Sequence, residues 1–165
     1  MSGWTEDKLF SSKKHDWETP QALFDALDEE FGFELDAAAS PDNAKCKHFF
    51  TEDEDALTQD WSAYDAVWCN PPYGRGIGDW MIKCAREGLA TTVVALVFAR
   101  TDTRWFHDWI APYASQVRFI KGRLKFSRGG MPGDSAPAPS MVVVWRPANG
   151  PFPRLHQAVN TMEQP

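Results

Sequence analysis

The run Asp65-Ala66-Val67-Trp68-Cys69-Asn70-Pro71-Pro72-Tyr73, followed at once by Gly74-Arg75-Gly76, decides the fold. Its first half is a short apolar stretch bounded by turn residues, as in a buried strand. Its second half cannot prolong a strand, because two consecutive prolines fix φ and remove two backbone N–H donors. The strand therefore ends on a rigid turn that presents the Asn70 side chain and free carbonyl oxygens. Beyond the glycines, Ile77, Trp80, Met81 and Cys84 mark an amphipathic helix that ends near Gly88.

The same alternation extends in both directions. Upstream, Thr19-Pro20 offers an N-cap with proline at the first helical position. Leu23, Phe24, Leu27 and Phe31 follow at helical spacing, and Gly32 closes the helix. Phe33-Glu34-Leu35-Asp36 reads as a short strand ending on a carboxylate, and His48-Phe49-Phe50 as another. Downstream, Thr92–Phe98 is an apolar, β-branched run of the kind found in a buried parallel strand. A helix is expected from Thr103 to Ile110 and a strand at Val117–Ile120. Arg123–Phe126 and Met141–Trp145 then read as two strands flanking a Gly/Pro-rich loop.

This order predicts a single-domain α/β protein: a mostly parallel sheet with an antiparallel C-terminal strand pair and helices on both faces. The domain is expected over residues 15–147. Residues 1–14 read as a flexible arm, and residues 148–165, rich in proline, as a tail or short appended helix. In such sheets ligands sit beyond the carboxyl ends of the strands, where strand order reverses. Asp36 and Asn70 both fall at expected carboxyl ends.

The totals narrow the class. A chain of 165 residues can bury a full core without staples. Its three cysteines, Cys46, Cys69 and Cys84, are odd in number and lack CxxC spacing, which suits a reduced cytosol and no metal site. No apolar run reaches membrane-span length and no signal-peptide pattern opens the chain, so a soluble cytoplasmic protein is expected. Net charge is −6, with more than half the acids between Asp16 and Asp60. Arg100, Arg104, Arg118, Lys121, Arg123, Lys125 and Arg128 face only Asp102 and Asp108 in their stretch. That asymmetry permits a basic face for phosphate on an acidic body, and equally a set of solvated charges.

The turn at Asn70-Pro71-Pro72-Tyr73 carries the chemistry. The Asn70 side-chain oxygen and the Pro71 carbonyl are two acceptors with little local competition. Together they can take both hydrogens of an adenine amino group and localise its nitrogen lone pair, while Tyr73 stacks on the ring. The nitrogen then attacks an electrophilic methyl in line, by positioning and electrostatics, with no covalent enzyme intermediate. The bland alternative is a Pro-Pro turn with Tyr73 in the core; the preceding strand and following glycines favour function.

The chain resembles the phage-type DNA N-6-adenine methyltransferase (Dam) family. The resemblance rests on Trp17-Glu18-Thr19-Pro20, Leu35-Asp36-Ala37-Ala38-Ala39-Ser40, Asn43, Leu57-Thr58-Gln59-Asp60-Trp61 and Asn70-Pro71-Pro72-Tyr73-Gly74-Arg75. It extends through Ala99-Arg100-Thr101-Asp102-Thr103-Arg104-Trp105-Phe106-His107 and Gly122-Arg123-Leu124-Lys125-Phe126. It implies a Rossmann-like methyltransferase fold, S-adenosylmethionine as methyl donor, the N6 of adenine in DNA as acceptor, and a bacterial host cytoplasm reached by phage or prophage.

Site roles follow from the resemblance. Asp36 is expected on the donor's ammonium, Asp60 on its adenine amino group, and Trp17 with Thr19-Pro20 closing over its methionine end. Helix N–H groups near Thr19 suit the carboxylate. Ala38 sits where many methyltransferases have a glycine-rich turn; its small side chain still admits a ligand. Each has a plainer rival: Asp36 or Asp60 capping a turn, Trp17 in the core.

The adenine must leave the duplex stack, or be met in a single strand, to be reached. Phe126 is the candidate second stacking ring, with ordinary sheet core as its rival. Arg75, Arg100 and Arg104 are candidate DNA contacts. The loop from Ser127 to Ser140 either reaches a groove or is a long hairpin connection. Oligomeric state stays open. The competing readings are RNA adenine or a protein glutamine amide as acceptor, and a non-catalytic DNA-binding module. No Ser/His/Asp or metal-ligand set suggests a hydrolase.

Overall fold

A computed structural model describes residues 18–129, 131–147 and 158–165. The arm expected over residues 1–14, together with Trp17, lies outside the described residues. The elements are α1 (Gln21–Phe31), β1 (Leu35–Asp36), β2 (His48–Phe49), a 3-10 turn (Ala56–Thr58), β3 (Ala66–Cys69), α2 (Ile77–Glu87) and β4 (Thr92–Phe98). A π-helical turn (Phe106–Ile110), β5 (Gln116–Ile120), β6 (Lys125–Arg128), β7 (Met131–Ser135), β8 (Ser140–Trp145) and β9 (Ala158–Met162) complete them. The structure is thus a mixed α/β fold with a central sheet and flanking helices.

The main sheet has seven strands in the order β2-β1-β3-β4-β8-β5-β9. Strands β2, β1, β3 and β4 run parallel; β8 is antiparallel to β4 and β5, and β9 is parallel to β5. β4 and β8 carry the centre, pairing from Val93↔Trp145 to Phe98↔Ser140. Their Val-rich apolar runs follow from burial on both faces.

Alternation along the strands sorts side chains into two layers. Val67, Cys69, Val93, Ala95, Val97, Val143 and Trp145 pack with Met81, Cys84 and Ala85 of α2. Trp68, Val94, Leu96, Val142 and Val144 pack with Leu23, Phe24 and Leu27 of α1. The helical 3.6 period and the strand period of 2 therefore meet without conflict on both sides. α1 stops at Gly32, whose φ of 65° is left-handed and whose N–H reaches Asp28 O. α2 ends at Gly88, where an added Cβ would come within 2.4 Å of Trp145 Cβ; glycine there lets the helix close onto β8.

Four expectations need correction. Pro20, not Thr19, is the N-cap of α1, with no side-chain cap bond. The expected helix from Thr103 is short: residues 104–105 are α-helical, and a π turn follows, with Ala111 N–H bonded to Phe106 O. The strand at Lys125 does not pair with β8. It pairs with β7, inside the loop expected at 127–140, as a separate antiparallel hairpin. β8 instead inserts between β4 and β5, because its apolar run is satisfied only when buried on both faces. Residues 158–162, expected in a tail or helix, add β9 beside β5.

Candidate active site

Strand order sets the location. From β1 the chain steps outward to β2, then returns to β3 on the other side of β1. The connections diverge there, opening a crevice beyond the carboxyl ends of β1 and β3. A cavity of about 840 Å³ occupies that position. Its walls come from Glu18-Thr19, the loop Asp36–Pro41, the segment Phe50–Leu57, the turn Asn70–Gly76, and Trp80 of α2.

Asp36 ends β1 with 3% exposure. Its two carboxylate oxygens accept from Ala38 N–H at 3.3 Å and Lys45 N–H at 2.9 Å, so it holds the following loop as well as facing the cavity. Burial pushes its pKa up to about 6, against the opposing pull of those N–H groups and the Lys45 charge. The loop is held further by Asn43 Oδ1, which accepts from Ser40 N–H at 2.8 Å.

Asn70 follows β3 directly. Its amide nitrogen donates to Thr19 Oγ1 at 3.0 Å. Its amide oxygen is buried with no hydrogen-bond partner; among the described residues only Ser140 Oγ shares that condition. Leaving a buried acceptor unpaired costs roughly 1–3 kcal/mol of desolvation, so such atoms are rare. Pro71 and Pro72 line the cavity, as does Tyr73. The Tyr73 ring stacks on Phe98 at 4.0 Å with 12° between planes, and its hydroxyl donates to Leu96 O at 3.3 Å. Burial raises the phenol pKa, which keeps it a neutral donor.

Several expected residues meet here. Thr19, Asp36, Ala38, Asn70, Pro71, Pro72, Tyr73 and Arg75 all line the cavity, Arg75 from its exposed rim. Pro20 stands just behind, capping α1 through its carbonyl. Arg100 and Arg104 are exposed beyond the end of β4, on the rim that carries Asn70 but outside the cavity wall.

Two residues are elsewhere. Asp60 is exposed and accepts from Ser62 N–H at 2.8 Å; the Ser62 side chain and that N–H lower its pKa, and it caps a turn away from the cavity. The acids on the wall are instead Glu18, Asp36, Glu52, Asp53 and Asp55. Phe126 is 4% exposed and packs beneath α1 with Leu23 and Leu124, as core. The ring that does meet Tyr73 is Phe98, hidden in the sequence as one more apolar residue of a strand.

A protein-family model described as DNA N-6-adenine-methyltransferase (Dam) matches residues 6–164. The chain is 29% identical over 150 residues to a DNA N-6-adenine-methyltransferase of Haemophilus phage HP1, covering 87% of this chain and 85% of that protein. It is 34% identical over 95 residues to a DNA N-6-adenine-methyltransferase of Escherichia phage T1, covering 56% of this chain and 39% of that protein.

Proposed function

Because the chain belongs to the DNA N-6-adenine-methyltransferase (Dam) family, we propose that the cavity between Asp36 and Asn70 is where it methylates the N6 amino group of adenine in DNA. Family membership implies S-adenosylmethionine as the donor. The strand order, with one antiparallel strand inside an otherwise parallel sheet, fits a Rossmann-like methyltransferase fold. The observation that carries the reading is the buried, unpartnered oxygen of Asn70 on the cavity wall.

The residues fit the donor. Its methionine part presents a cation, and Asp36 is a carboxylate whose burial lifts its pKa to about 6. Ala37, Ala38 and Ala39 keep side chains short where a ligand must approach the backbone. Trp17 and Pro20, beside Thr19, belong to the closing segment under this reading. When bound, S-adenosylmethionine supplies an electrophilic methyl group.

The chain's own groups do the rest. Asn70 Oδ1 accepts one hydrogen of the target amino group. The Pro71 carbonyl, which takes no hydrogen bond among the described residues, accepts the other. Both acceptors are fixed before substrate arrives, so little reorganisation is needed as positive charge develops on nitrogen. Tyr73, braced from behind by Phe98, offers its ring to an adenine drawn out of the stack. Arg75, Arg100 and Arg104 on the rim supply cations for DNA phosphate, giving affinity that falls with salt. No helix among the described residues is long and apolar enough to cross a membrane.

The test is transfer of labelled methyl from S-adenosylmethionine, offered unmethylated DNA, RNA and protein in parallel. Label recovered as N6-methyladenine in DNA is the expected outcome. Label confined to RNA or protein, or no transfer despite cofactor binding, overturns the reading.

A further inference from the structure

An asparagine amide has two ends of opposite character, and only the oxygen can accept from an adenine amino group. A half-turn of the amide about its terminal torsion would aim its NH₂ at another NH₂. Something must therefore hold this torsion in place. The turn itself cannot do so, because its prolines hold the backbone and leave this side-chain torsion free.

We propose that Thr19 is a positioning residue that anchors the Asn70 amide on the cavity wall. Thr19 is 2% exposed, fifty-one residues away in sequence, and its Oγ1 accepts from Asn70 Nδ2 at 3.0 Å. With the nitrogen engaged, Oδ1 is left as the free acceptor. Thr19 is itself held in place from both sides. Pro20 begins α1, and Glu18 pairs through both backbone bonds with Ser127 of β6, at 2.8 and 3.1 Å. The threonine thus hangs between a helix and a hairpin, and neither leaves it room to drift. This assignment differs from a cofactor-binding role for Thr19, and it rests on the reading of Asn70 given above.

The measurements are kcat for methyl transfer to DNA and the affinity for S-adenosylmethionine by calorimetry, in wild type, Thr19→Val, Thr19→Ser and Asn70→Ala. Valine keeps the shape and removes the acceptor; Thr19→Ala serves the same purpose if valine does not fold. Loss of one such bond lowers kcat by about 10- to 100-fold. Cofactor affinity stays within about twofold, and Thr19→Ser recovers kcat to within about threefold, because its hydroxyl still accepts. An unchanged kcat in Thr19→Val, a fall in cofactor affinity that matches the fall in kcat, or an equal loss in Thr19→Ser overturns the assignment. If Asn70→Ala is inactive while Thr19→Val transfers normally, Thr19 alone is misassigned. If Asn70→Ala is itself fully active, the reading of the loop falls and takes Thr19 with it.

Discussion

Two buried or half-buried charged centres lie on this sheet, and they are built in opposite ways. On β5, toward the β9 edge of the sheet, Arg118 makes a two-pronged contact with Glu30 at 2.7 and 2.6 Å, donates to Gln116 Oε1, and lies over the ring of Phe31. The paired guanidinium lowers the Glu30 pKa, and the carboxylate raises that of Arg118. Each charge makes the other easier to hold. At the end of β1, by contrast, Asp36 has backbone N–H groups and the charge of Lys45, whose Nζ binds Gln21 instead, and burial still raises its pKa to about 6. The first arrangement serves the fold; the second is left incomplete, with the unpaired Asn70 oxygen on the same cavity. Polar groups that the protein leaves unsatisfied are where a ligand is expected to complete the set.

The contrast extends to pH. Glu30 has a folded pKa below its unfolded value, so its stabilisation is present above the unfolded pKa and is lost as pH falls through the folded one. Asp36 has the opposite sign. Its contribution is fully present below the unfolded value of 3.8 and is lost as pH rises through about 6. At neutral pH the free protein therefore carries a cost at Asp36 that a bound cation relieves.

The comparison breaks most readily at Asp36 itself. Asp36→Asn removes the charge while keeping an oxygen for the loop, and cofactor affinity is expected to fall by about 10- to 100-fold by calorimetry. An unchanged affinity would place the donor's ammonium elsewhere. A somewhat smaller effect is expected from pH. A cation beside Asp36 lowers its pKa on binding, so binding releases a proton near and below pH 6 and affinity weakens as pH falls, by up to about tenfold per unit. A flat profile between pH 5 and 7, or a slope that survives in Asp36→Asn, contradicts the role.

On the other side of the comparison, Glu30→Gln is expected to cost about 1 kcal/mol or less in denaturant unfolding, since Glu30 is half exposed, with methyl transfer unchanged. A lost activity there would mean that the edge is coupled to the cavity. Smallest of all, Asp60→Ala is expected to leave cofactor affinity within about twofold and to remove only an exposed turn-capping bond, with the unfolding midpoint near wild type. A large loss of affinity would restore the role first expected for Asp60.

What was legible in sequence was local chemistry with periodicity behind it. The strand into Asn70, the helices at Gln21–Phe31 and Ile77–Glu87, and the carboxylate ending β1 all announce themselves through spacing, glycine or proline. Pairing partners did not. Nothing in Lys125–Arg128 reveals that its partner is the adjacent Met131–Ser135, nor that Ala158–Met162 closes the edge of the sheet, because long-range register depends on which surfaces remain to be covered. The site shows the same divide. Asn70 and Asp36 stand at strand ends and could be placed, whereas Asp60 and Phe126 were judged by their neighbours in a shared motif, and the fold turns one outward and buries the other. Phe98 and Thr19 gained their contacts with Tyr73 and Asn70 only through folding.

The central claim is that the Asn70 oxygen is unpaired because the target amino group is its partner, and Asn70→Ala tests it most directly with stability and transfer measured on one preparation. The account predicts a fall in methyl transfer of about 100- to 1000-fold, with cofactor affinity and the unfolding midpoint close to wild type. Transfer near the wild-type rate, or a loss explained entirely by unfolding, would contradict it.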